Sequence, residues 1–450
     1  MTEQSTCNTI LQKEPERSRI RSRRTFIKRL VGGTAVFAAA PYILCGKAKN
    51  SFEALKDAAS SLSAGSIGDE AFWREVKKQF IIDKKLIVMN AANLAPSPIP
   101  VMETLFELTR GVDRDVSSQN RSKFSTLRQQ TREAVAAYIG ARPEEVAIVR
   151  NTTEGNNMVI NGLLLNKGDE VVIWDQNHPT LNVAWDVRAE RYGFTVKKVG
   201  TPPAPQTAEN LIKPFREALT NRTKVLAFSD ISNITGVRLP ENELCAMARN
   251  AGILTVVDGA QSIGVRNLNM HDIGCDFYTF SSHKWMVGPR EAGVLYVRKE
   301  CVADLLPSIV GVGWGGALES GTAGKFETLG QQANSRIAAF GKTVEFLNAI
   351  GKDRIEKRVL SLAAALRDEI NKRIPGVEFY NPQNQELSGG IVKFMLPESD
   401  LSDAGSILYN TYGLVCSVHG GNFPGIRLTP HIYNTMEEIE KAADAVASLV

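Results

Sequence analysis

The feature that most constrains the fold is a regular alternation of short apolar strands with helical segments between residues 146 and 258. The predicted strands are Val146–Val149, Val171–Trp174, one that opens at Thr195, Val225–Ser229 and Leu254–Val257. Apolar strands separated by helices are typical of an α/β fold with a mostly parallel sheet covered on both faces. Ligands of such sheets bind at the carboxyl ends of the strands. The polar residues that follow each strand are therefore the candidates for chemistry.

The pattern changes beyond residue 330, where two long amphipathic helices precede several short strands and a final helix near Met436. This pattern predicts a smaller α+β domain. We expect a large domain over residues 91–346 and a small domain over 347–450, with an N-terminal segment, 69–90, that packs with the small domain. Residues 49–68 are small and polar, and this composition predicts a linker.

The first 48 residues have the character of an export leader. They hold nine Lys/Arg against three Asp/Glu, and the run Ser22–Lys28 contains the pair Arg23-Arg24 ahead of an uncharged stretch, Leu30–Gly46. A charged region followed by a short, mildly apolar one is typical of a signal segment. The run resembles the twin-arginine leader, which predicts export to the periplasm by the twin-arginine machinery. A basic surface helix and an uncleaved membrane anchor are the alternatives.

Charge and cysteine content exclude several classes of function. Outside the leader the chain carries 44 basic and 46 acidic residues, so no electrostatic case for nucleic-acid binding exists. The six cysteines show neither a CxxC pair nor the spacing of a metal site. Cys245, Cys275, Cys301 and Cys416 lie in apolar contexts, where a buried thiol acts as a small hydrophobic residue.

One lysine, Lys284, lies in the run Ser281–Pro289, just after the apolar segment Cys275–Phe280 and before a glycine-proline turn. Burial at that point penalises the ammonium and lowers the lysine pKa toward that of a nucleophilic amine. Such an amine can form an imine with a carbonyl group. A lysine that extends to the surface is the ordinary alternative, and only the residues at the other strand ends argue against it.

Polar residues follow four other predicted strands: Thr152 and Thr153, His178, Asn233, and Asp258. The two threonines open a helix, whose free N–H groups and dipole favour an anion. The Asp258 carboxylate needs a cationic partner, and a protonated pyridine nitrogen is one candidate. Each residue could also have a purely structural role. The threonines could cap a helix, His178 could begin one, Asn233 could hold a turn, and Asp258 could pair with an arginine.

In order and spacing these residues resemble the class V aminotransferase family of pyridoxal-phosphate (PLP) enzymes, over residues 70–450. The run Ser281–Pro289, the Asp-Gly-Ala-Gln run from Asp258 and the Asn-x-x-Gly run from Asn233 carry the likeness as a set. The resemblance implies fold type I, a homodimer with active sites at the subunit interface, and PLP as cofactor. The likeness is greatest to the isopenicillin N epimerase-like branch.

The family pattern also assigns roles to residues of this chain. Lys284 forms the imine with PLP, Asp258 pairs with the pyridine nitrogen, and His178 stacks on the ring. Asn233 and Gln261 serve the ring oxygen. The phosphate is expected to contact Thr152, Thr153, Ser281 and His283. Arg427, in a short apolar strand, is expected to bind the carboxylate of the substrate as a bidentate partner, and Asn93 is counted with it as substrate-binding.

Two departures from the family pattern narrow the function. Gly330-Gln331 replaces the Gly-Thr pair that often reaches the phosphate of the neighbouring subunit, which puts that contact in doubt. In the cysteine desulfurase branch, the family pattern has a reactive cysteine on a loop shortly before the arginine that binds the carboxylate. In this chain that loop, Val418–Pro424, contains no cysteine, which argues against desulfuration by the persulfide route. The sequence thus predicts a PLP enzyme acting at the α-carbon of an amino acid or amino-bearing peptide, with transamination ranked ahead of epimerisation. A C–S lyase and an inactive binding protein are the alternatives.

Overall fold

The computed structural model describes residues 51–63, 67–202, 205, 207–312, 320–397 and 401–450. The predicted twin-arginine leader lies outside these residues. The described helices, labelled in chain order, are α1 (51–60), α2 (Glu70–Lys77), α3 (Ile99–Arg114), α4 (Ser118–Arg121), α5 (Lys123–Ile139), α6 (Thr152–Gly162), α7 (Pro179–Tyr192), α8 (Ala208–Ala218), α9 (Glu241–Asn250), α10 (Met270–Ile273), α11 (Asn334–Ile350), α12 (Lys352–Arg373), α13 (Ala404–Tyr412) and α14 (Met436–Ala447).

A seven-stranded sheet forms the centre of the molecule, and its order is β2-β8-β7-β6-β5-β3-β4. Its strands are β2 (Val146–Val149), β3 (Glu170–Trp174), β4 (Thr195–Val199), β5 (Thr223–Ser229), β6 (Leu254–Asp258), β7 (Phe277–Ser281) and β8 (Gly293–Val297). Along the sheet from β4 through β3, β5 and β6 to β7, each pair of neighbouring strands is parallel. Strand β8 runs antiparallel to both of its neighbours, β2 and β7. The prediction of a mostly parallel sheet is confirmed.

Both faces of this sheet are covered, as the apolar strands predict. Val172 and Trp174 of β3 belong to one hydrophobic cluster, whereas Val171 and Ile173 of the same strand belong to another. Successive side chains of a strand point to opposite faces, so each face has its own core. The crossover helices cover these two faces. The strands that precede the five predicted polar sites all run in the same direction, so these sites meet at one edge of the sheet.

A second, four-stranded antiparallel sheet of order β12-β13-β10-β9 lies in the C-terminal part of the chain. Its strands are β9 (Glu378–Phe379), β10 (Val392–Met395), β12 (Ser417–His419) and β13 (Gly425–Leu428). The N-terminal strand β1 (Ile87–Val88) pairs in parallel with β11 (Leu414–Val415) of this region. A third hydrophobic cluster joins this sheet to α12 and α14. The domain boundaries themselves stay a prediction.

The predicted linker is the main error in the secondary structure. Residues 51–60 form a helix instead, and Phe52, Leu55 and Ala59 are buried in the main core. These three residues recur at the spacing of one helical face, a pattern that the small and polar composition of the segment conceals. Phe52 packs against Phe346 of α11 with ring centroids 5.7 Å apart, so the segment is part of the fold.

Strand β8 also escaped the sequence analysis. It is the antiparallel member of the sheet, placed between β2 and β7, and all five of its residues are buried. Its pairing with β7 returns the chain directly after the turn that carries Lys284. None of the helices in the described ranges is long and apolar enough to cross a membrane.

Candidate active site

A pocket opens at the carboxyl ends of the central strands, and it brings together all but one of the predicted site residues. The predicted residues that line it are Asn93, Thr152, Thr153, His178, Asn233, Asp258, Gln261, Ser281, His283 and Lys284. The exception is Arg427, which contacts Asn233 from the second sheet. The residues from Thr152 to Lys284 meet here because the strands that precede them end at a common edge of the central sheet, and Asn93 reaches the pocket from the segment after β1.

Lys284 lies in a tight turn that directly follows β7. The turn is closed by the Gly288 N–H, which donates to the Ser282 carbonyl at 2.7 Å, and by the Ser282 hydroxyl, which donates to the Pro289 carbonyl. Val287 adopts a φ of 53° there, an uncommon conformation for a β-branched residue. Several hydrogen bonds thus impose the conformation of this turn.

The electrostatic surroundings of Lys284 favour a neutral amine. Burial lowers the pKa of this lysine, the charge of Asp258 opposes that shift, and the charge of Arg427 adds to it. A lowered pKa increases the fraction of the amine that carries a free electron pair at neutral pH. Lys284 therefore has the reactivity that imine formation requires.

Asp258 ends strand β6 and is buried, 4% exposed. Its Oδ2 accepts from Asn156 Nδ2 at 2.9 Å, and its Oδ1 accepts from the Ala260 N–H at 3.0 Å. Asn156 is in turn fixed by the Thr279 hydroxyl, which donates to its Oδ1. Within the part of the chain that the structure describes, no arginine or lysine forms an ion pair with this carboxylate. A cationic ring nitrogen in the pocket would meet that requirement.

The amino terminus of α6 forms the other end of the pocket. Asn151 caps the helix by accepting from the Glu154 N–H, and the Thr152 N–H donates to Ser281 Oγ at 2.8 Å. The hydroxyls of Thr152 and Ser281 are also hydrogen-bonded, at 2.7 Å. An eleven-residue helix pointing its N–H groups and hydroxyls at a pocket is suited to a phosphate.

Two buried polar atoms at this pocket have no protein partner among the described residues: Nδ1 of His283 and Oδ1 of Asn233. Buried polar atoms are normally hydrogen-bonded, so both atoms fit a site that a polar ligand completes. Burial lowers the pKa of His283 to about 4, with the charges of Lys284 and Arg290 contributing. The imidazole is thus a neutral hydrogen-bonding group near neutral pH.

His178 caps helix α7, and its ring also lines the pocket. The Thr180 N–H donates to Nδ1 at 3.3 Å, so the neutral ring carries its proton on Nε2. Burial lowers the pKa of His178, and the charges of Lys284 and Arg427 act in the same direction against that of Asp258. A neutral flat ring at this position is compatible with stacking on a cofactor ring.

Gln261 lines the pocket, but both ends of its amide already have protein partners. Its Nε2 donates to the Ala92 carbonyl at 3.0 Å, and its Oε1 accepts from Trp285 Nε1 at 2.7 Å. One Nε2 proton remains for a ligand. Gln261 therefore connects the Asp258 loop with the Lys284 turn, a function that the sequence did not indicate.

Arg427 lies in β13 and projects from the second sheet toward the pocket. Its Nη1 donates to the Asn233 carbonyl at 2.8 Å and its Nη2 to Ser417 Oγ at 3.2 Å. Burial lowers its pKa to about 10, and no carboxylate of the described residues pairs with it. A buried guanidinium without an acidic partner is a suitable site for a ligand carboxylate.

Sequence reasoning missed three residues that support this site: Asn156, Trp285 and Ser417. Each lies beside a predicted residue in sequence or in register, and each holds one of them through a hydrogen bond. Nothing in their local sequence distinguishes them from ordinary helix, turn or strand residues, so only the fold reveals these contacts. Cys416, expected to be buried, is half-exposed between β11 and β12, and burial still raises its pKa to about 11.

A family model described as aminotransferase class V matches residues 90–442. The chain belongs to this family. It is 28% identical over 393 residues to isopenicillin N epimerase of Amycolatopsis lactamdurans, covering 84% of this chain and 98% of that protein. It is 29% identical over 407 residues to a probable cysteine desulfurase of Methanothermobacter thermautotrophicus, covering 83% and 97%.

Solved structures give the same fold. The apo cysteine desulfurase of Thermococcus onnurineus superposes with a TM-score of 0.74 at 25% identity, covering 84% of this chain and 97% of that one. The cystine C–S lyase C-DES, in complex with cysteine persulfide, superposes with a TM-score of 0.73 at 23% identity, covering 82% and 98%. This class V family is PLP-dependent and has fold type I, so PLP is the cofactor of this enzyme.

The residues in the pocket fit PLP. The pKa of the Lys284 amine is lowered, Asp258 has no cationic partner among the described residues, and the start of α6 suits a phosphate. The unpartnered atoms of Asn233 and His283 are consistent with further hydrogen bonds to the cofactor. The individual roles that the family resemblance implies stay predictions.

Proposed function

We propose that this protein is an exported PLP enzyme that acts at the α-carbon of an amino acid or small amino-bearing peptide, by transamination or epimerisation. One observation carries the proposal: Lys284, Asp258 and Asn233 line one pocket, and Arg427 donates a hydrogen bond to the Asn233 carbonyl. In the proposed scheme, Lys284 is the proton acceptor, Asp258 the partner of a ring nitrogen and Arg427 the group that binds a carboxylate.

Each residue has a defined task in this scheme. Arg427 binds the carboxylate of the substrate and so fixes the position of the α-carbon. Lys284 accepts the α-proton and returns it, because its lowered pKa leaves more of the amine unprotonated and able to accept a proton. Asp258, held by Asn156 and the Ala260 N–H, keeps the ring nitrogen protonated. Bound PLP supplies an electron sink that acidifies the α-C–H bond.

The relatives named as cysteine desulfurases support a second candidate, elimination from a cysteine derivative. The usual persulfide route needs a reactive thiol, and the loop Val418–Pro424 holds no cysteine. Cys416 is an unsuitable substitute, since burial raises its pKa to about 11 and keeps it a thiol. A C–S lyase that releases a thiol or sulfide directly is the form of this chemistry that remains.

A panel of L-amino acids and small amino-peptides, incubated with the holoenzyme in D₂O, tests the proposal. Loss of the substrate α-proton signal, by exchange or by conversion and followed by NMR, is the result common to every branch. A 2-oxo acid with the pyridoxamine form of the cofactor selects transamination, a D-product selects epimerisation, and a thiol with pyruvate selects the lyase. Retention of the α-proton signal by every compound of the panel would refute action at the α-carbon.

Export and assembly are part of the proposal. The run Ser22–Lys28 supports delivery to the periplasm by the twin-arginine machinery, with membrane attachment only if the leader is uncleaved. We expect the variant Arg23→Lys, Arg24→Lys to remain in the cytoplasm, and equal cell fractions for both proteins would contradict the route. The family resemblance supports a homodimer, and light scattering of the purified enzyme at monomer mass would contradict it.

A further inference from the structure

Basic and polar side chains lie side by side on one face of the second sheet, around Arg427. In the antiparallel register Lys393 of β10 and Ser417 of β12 both lie directly opposite Arg427. Directly opposed residues project from the same face of a sheet. The contact between Arg427 Nη2 and Ser417 Oγ confirms this arrangement. His419, two residues beyond Ser417 in β12, projects from that face as well.

Lys393 is fully buried, and among the described residues its amino group has only neutral partners. Its Nζ donates to the Gly425 carbonyl at 2.6 Å, lies 3.3 Å from His419 Nδ1, and is 6.0 Å from the ring centroid of Tyr380. In the described ranges no carboxylate forms an ion pair with it. Burial, followed by the charge of Arg427, lowers its pKa to about 7. Below about pH 7, Lys393 and Arg427 are thus two neighbouring buried cations, and no carboxylate of the described residues pairs with either.

Lys393 also determines which atom His419 offers to a ligand. An ammonium can only donate, so His419 Nδ1 accepts and the ring proton lies on Nε2. Burial and the charges of Lys393 and Arg427 lower the pKa of His419 to about 4. His419 is half-buried, so part of this neutral side chain is accessible, and it lies next to Lys393 on the same face of the sheet as Arg427.

We propose that Lys393 and His419 form a second anion-binding subsite beside Arg427, so that the preferred substrate carries a second carboxylate in addition to the α-carboxylate. This inference rests on the proposed function. An amino dicarboxylic acid, or a peptide with a distal carboxylate, would neutralise both buried cations. His419 donates to the second carboxylate, and Lys393 is a positioning residue that orients His419 and contributes charge from its buried position. A monocarboxylic amino acid would leave one cation without a partner.

Binding of non-reactive acids to the cofactor-loaded enzyme tests the subsite. The probes are glutarate and butyrate, measured by titration calorimetry at about pH 6.5, where Lys393 is largely protonated. We expect glutarate to bind about tenfold more tightly than butyrate or better, the gain that one charge-assisted contact provides. Equal affinities would overturn the inference.

Matched variants assign the preference to the subsite. Lys393→Met should weaken glutarate binding far more than butyrate binding, so that the preference for glutarate falls to nearly one. Lys325→Met is the control, because Lys325 is also buried but donates to the Val302 carbonyl away from the site. An unchanged preference in Lys393→Met would overturn the inference. If that variant does not fold, His419→Gln decides: a reduced preference supports the subsite, and a full preference overturns it.

This experiment is separable from the test of the proposed function. A preference for glutarate without α-proton exchange in any amino acid would refute the proposed function and support the subsite. Exchange in amino acids without a preference for glutarate would support the proposed function and refute the subsite. The α-proton exchange panel supplies the comparison between mono- and dicarboxylic amino acids.

Discussion

The Trp285 indole Nε1 donates a hydrogen bond to Gln261 Oε1 at 2.7 Å, in the interior behind the active-site pocket. Trp285 is fully buried and directly follows Lys284, while Gln261 lies three residues after Asp258. The carbonyl of Trp285 is also within 2.7 Å of His431 Nε2. These two bonds fix the residue next to the reactive lysine, so the lysine turn and the aspartate loop are held as one unit.

The first prediction concerns this bond. Trp285→Phe leaves Gln261 Oε1 buried without a donor, and we expect it to lower the free energy of unfolding by about 1–3 kcal/mol more than a control. The control is Trp185→Phe, since Trp185 is equally buried but its Nε1 has no partner among the described residues. Denaturant unfolding measures both variants. Equal losses would show that only ring volume matters at position 285.

The second prediction concerns Asn156, which holds Asp258. Asn156→Ala removes a hydrogen bond to a charged acceptor, which contributes about 1.5–3 kcal/mol. We therefore expect the dissociation constant for PLP to rise about 10- to 100-fold in an equilibrium titration. Asn161→Ala is the matched control, because Asn161 lies on the same helix, is exposed and bonds only to the Asn157 carbonyl. A PLP affinity in Asn156→Ala equal to that of the control contradicts this account.

The third prediction concerns acid stability. His431 is fully buried, and burial lowers its pKa to about 4. The unfolded chain, with a histidine pKa of about 6.5, therefore binds more protons than the folded one below that pH, and stability falls as the pH drops from about 6.5 toward 4. Between about pH 7.5 and pH 5 this histidine alone accounts for a loss of about 2 kcal/mol.

Comparison of the wild type with His431→Gln isolates this contribution, because His283 and His419 titrate in both proteins. The variant should lose about 2 kcal/mol less than the wild type over the same pH interval, as measured by denaturant unfolding. Parallel stability profiles for the two proteins would mean that His431 does not titrate on unfolding.

The strand ends of the central sheet were predictable, because five parallel strands are recognisable in the sequence as short apolar runs between helices. Each run fixes the polar residue that follows it at the same edge of the sheet, which is why Lys284, Asp258 and Asn233 were found together. The order of the strands in the central sheet and the register of the second sheet could not be predicted from such apolar runs. Pairing between distant strands depends on packing, so the position of Arg427 beside Asn233 required the fold.

Other features were concealed by local composition. The helix over residues 51–60 is rich in small and polar residues, and its three core residues are visible only as a helical face. Strand β8, Gly293–Val297, follows the segment that carries Lys284. No helix separates β8 from β7, so the alternation of strands and helices did not indicate it. Asn156 reads as an ordinary helix residue, and its contact with Asp258 spans 102 positions in sequence.

Reductive trapping of the cofactor on its lysine is the most direct test of the central claim. The holoenzyme is treated with borohydride and digested, and the pyridoxyl-labelled peptide is identified by mass spectrometry. We predict a single labelled site at Lys284, and we predict that Lys284→Ala protein with added PLP shows neither the label nor the imine absorbance. A label on another lysine, or imine absorbance that persists in Lys284→Ala, would contradict the account.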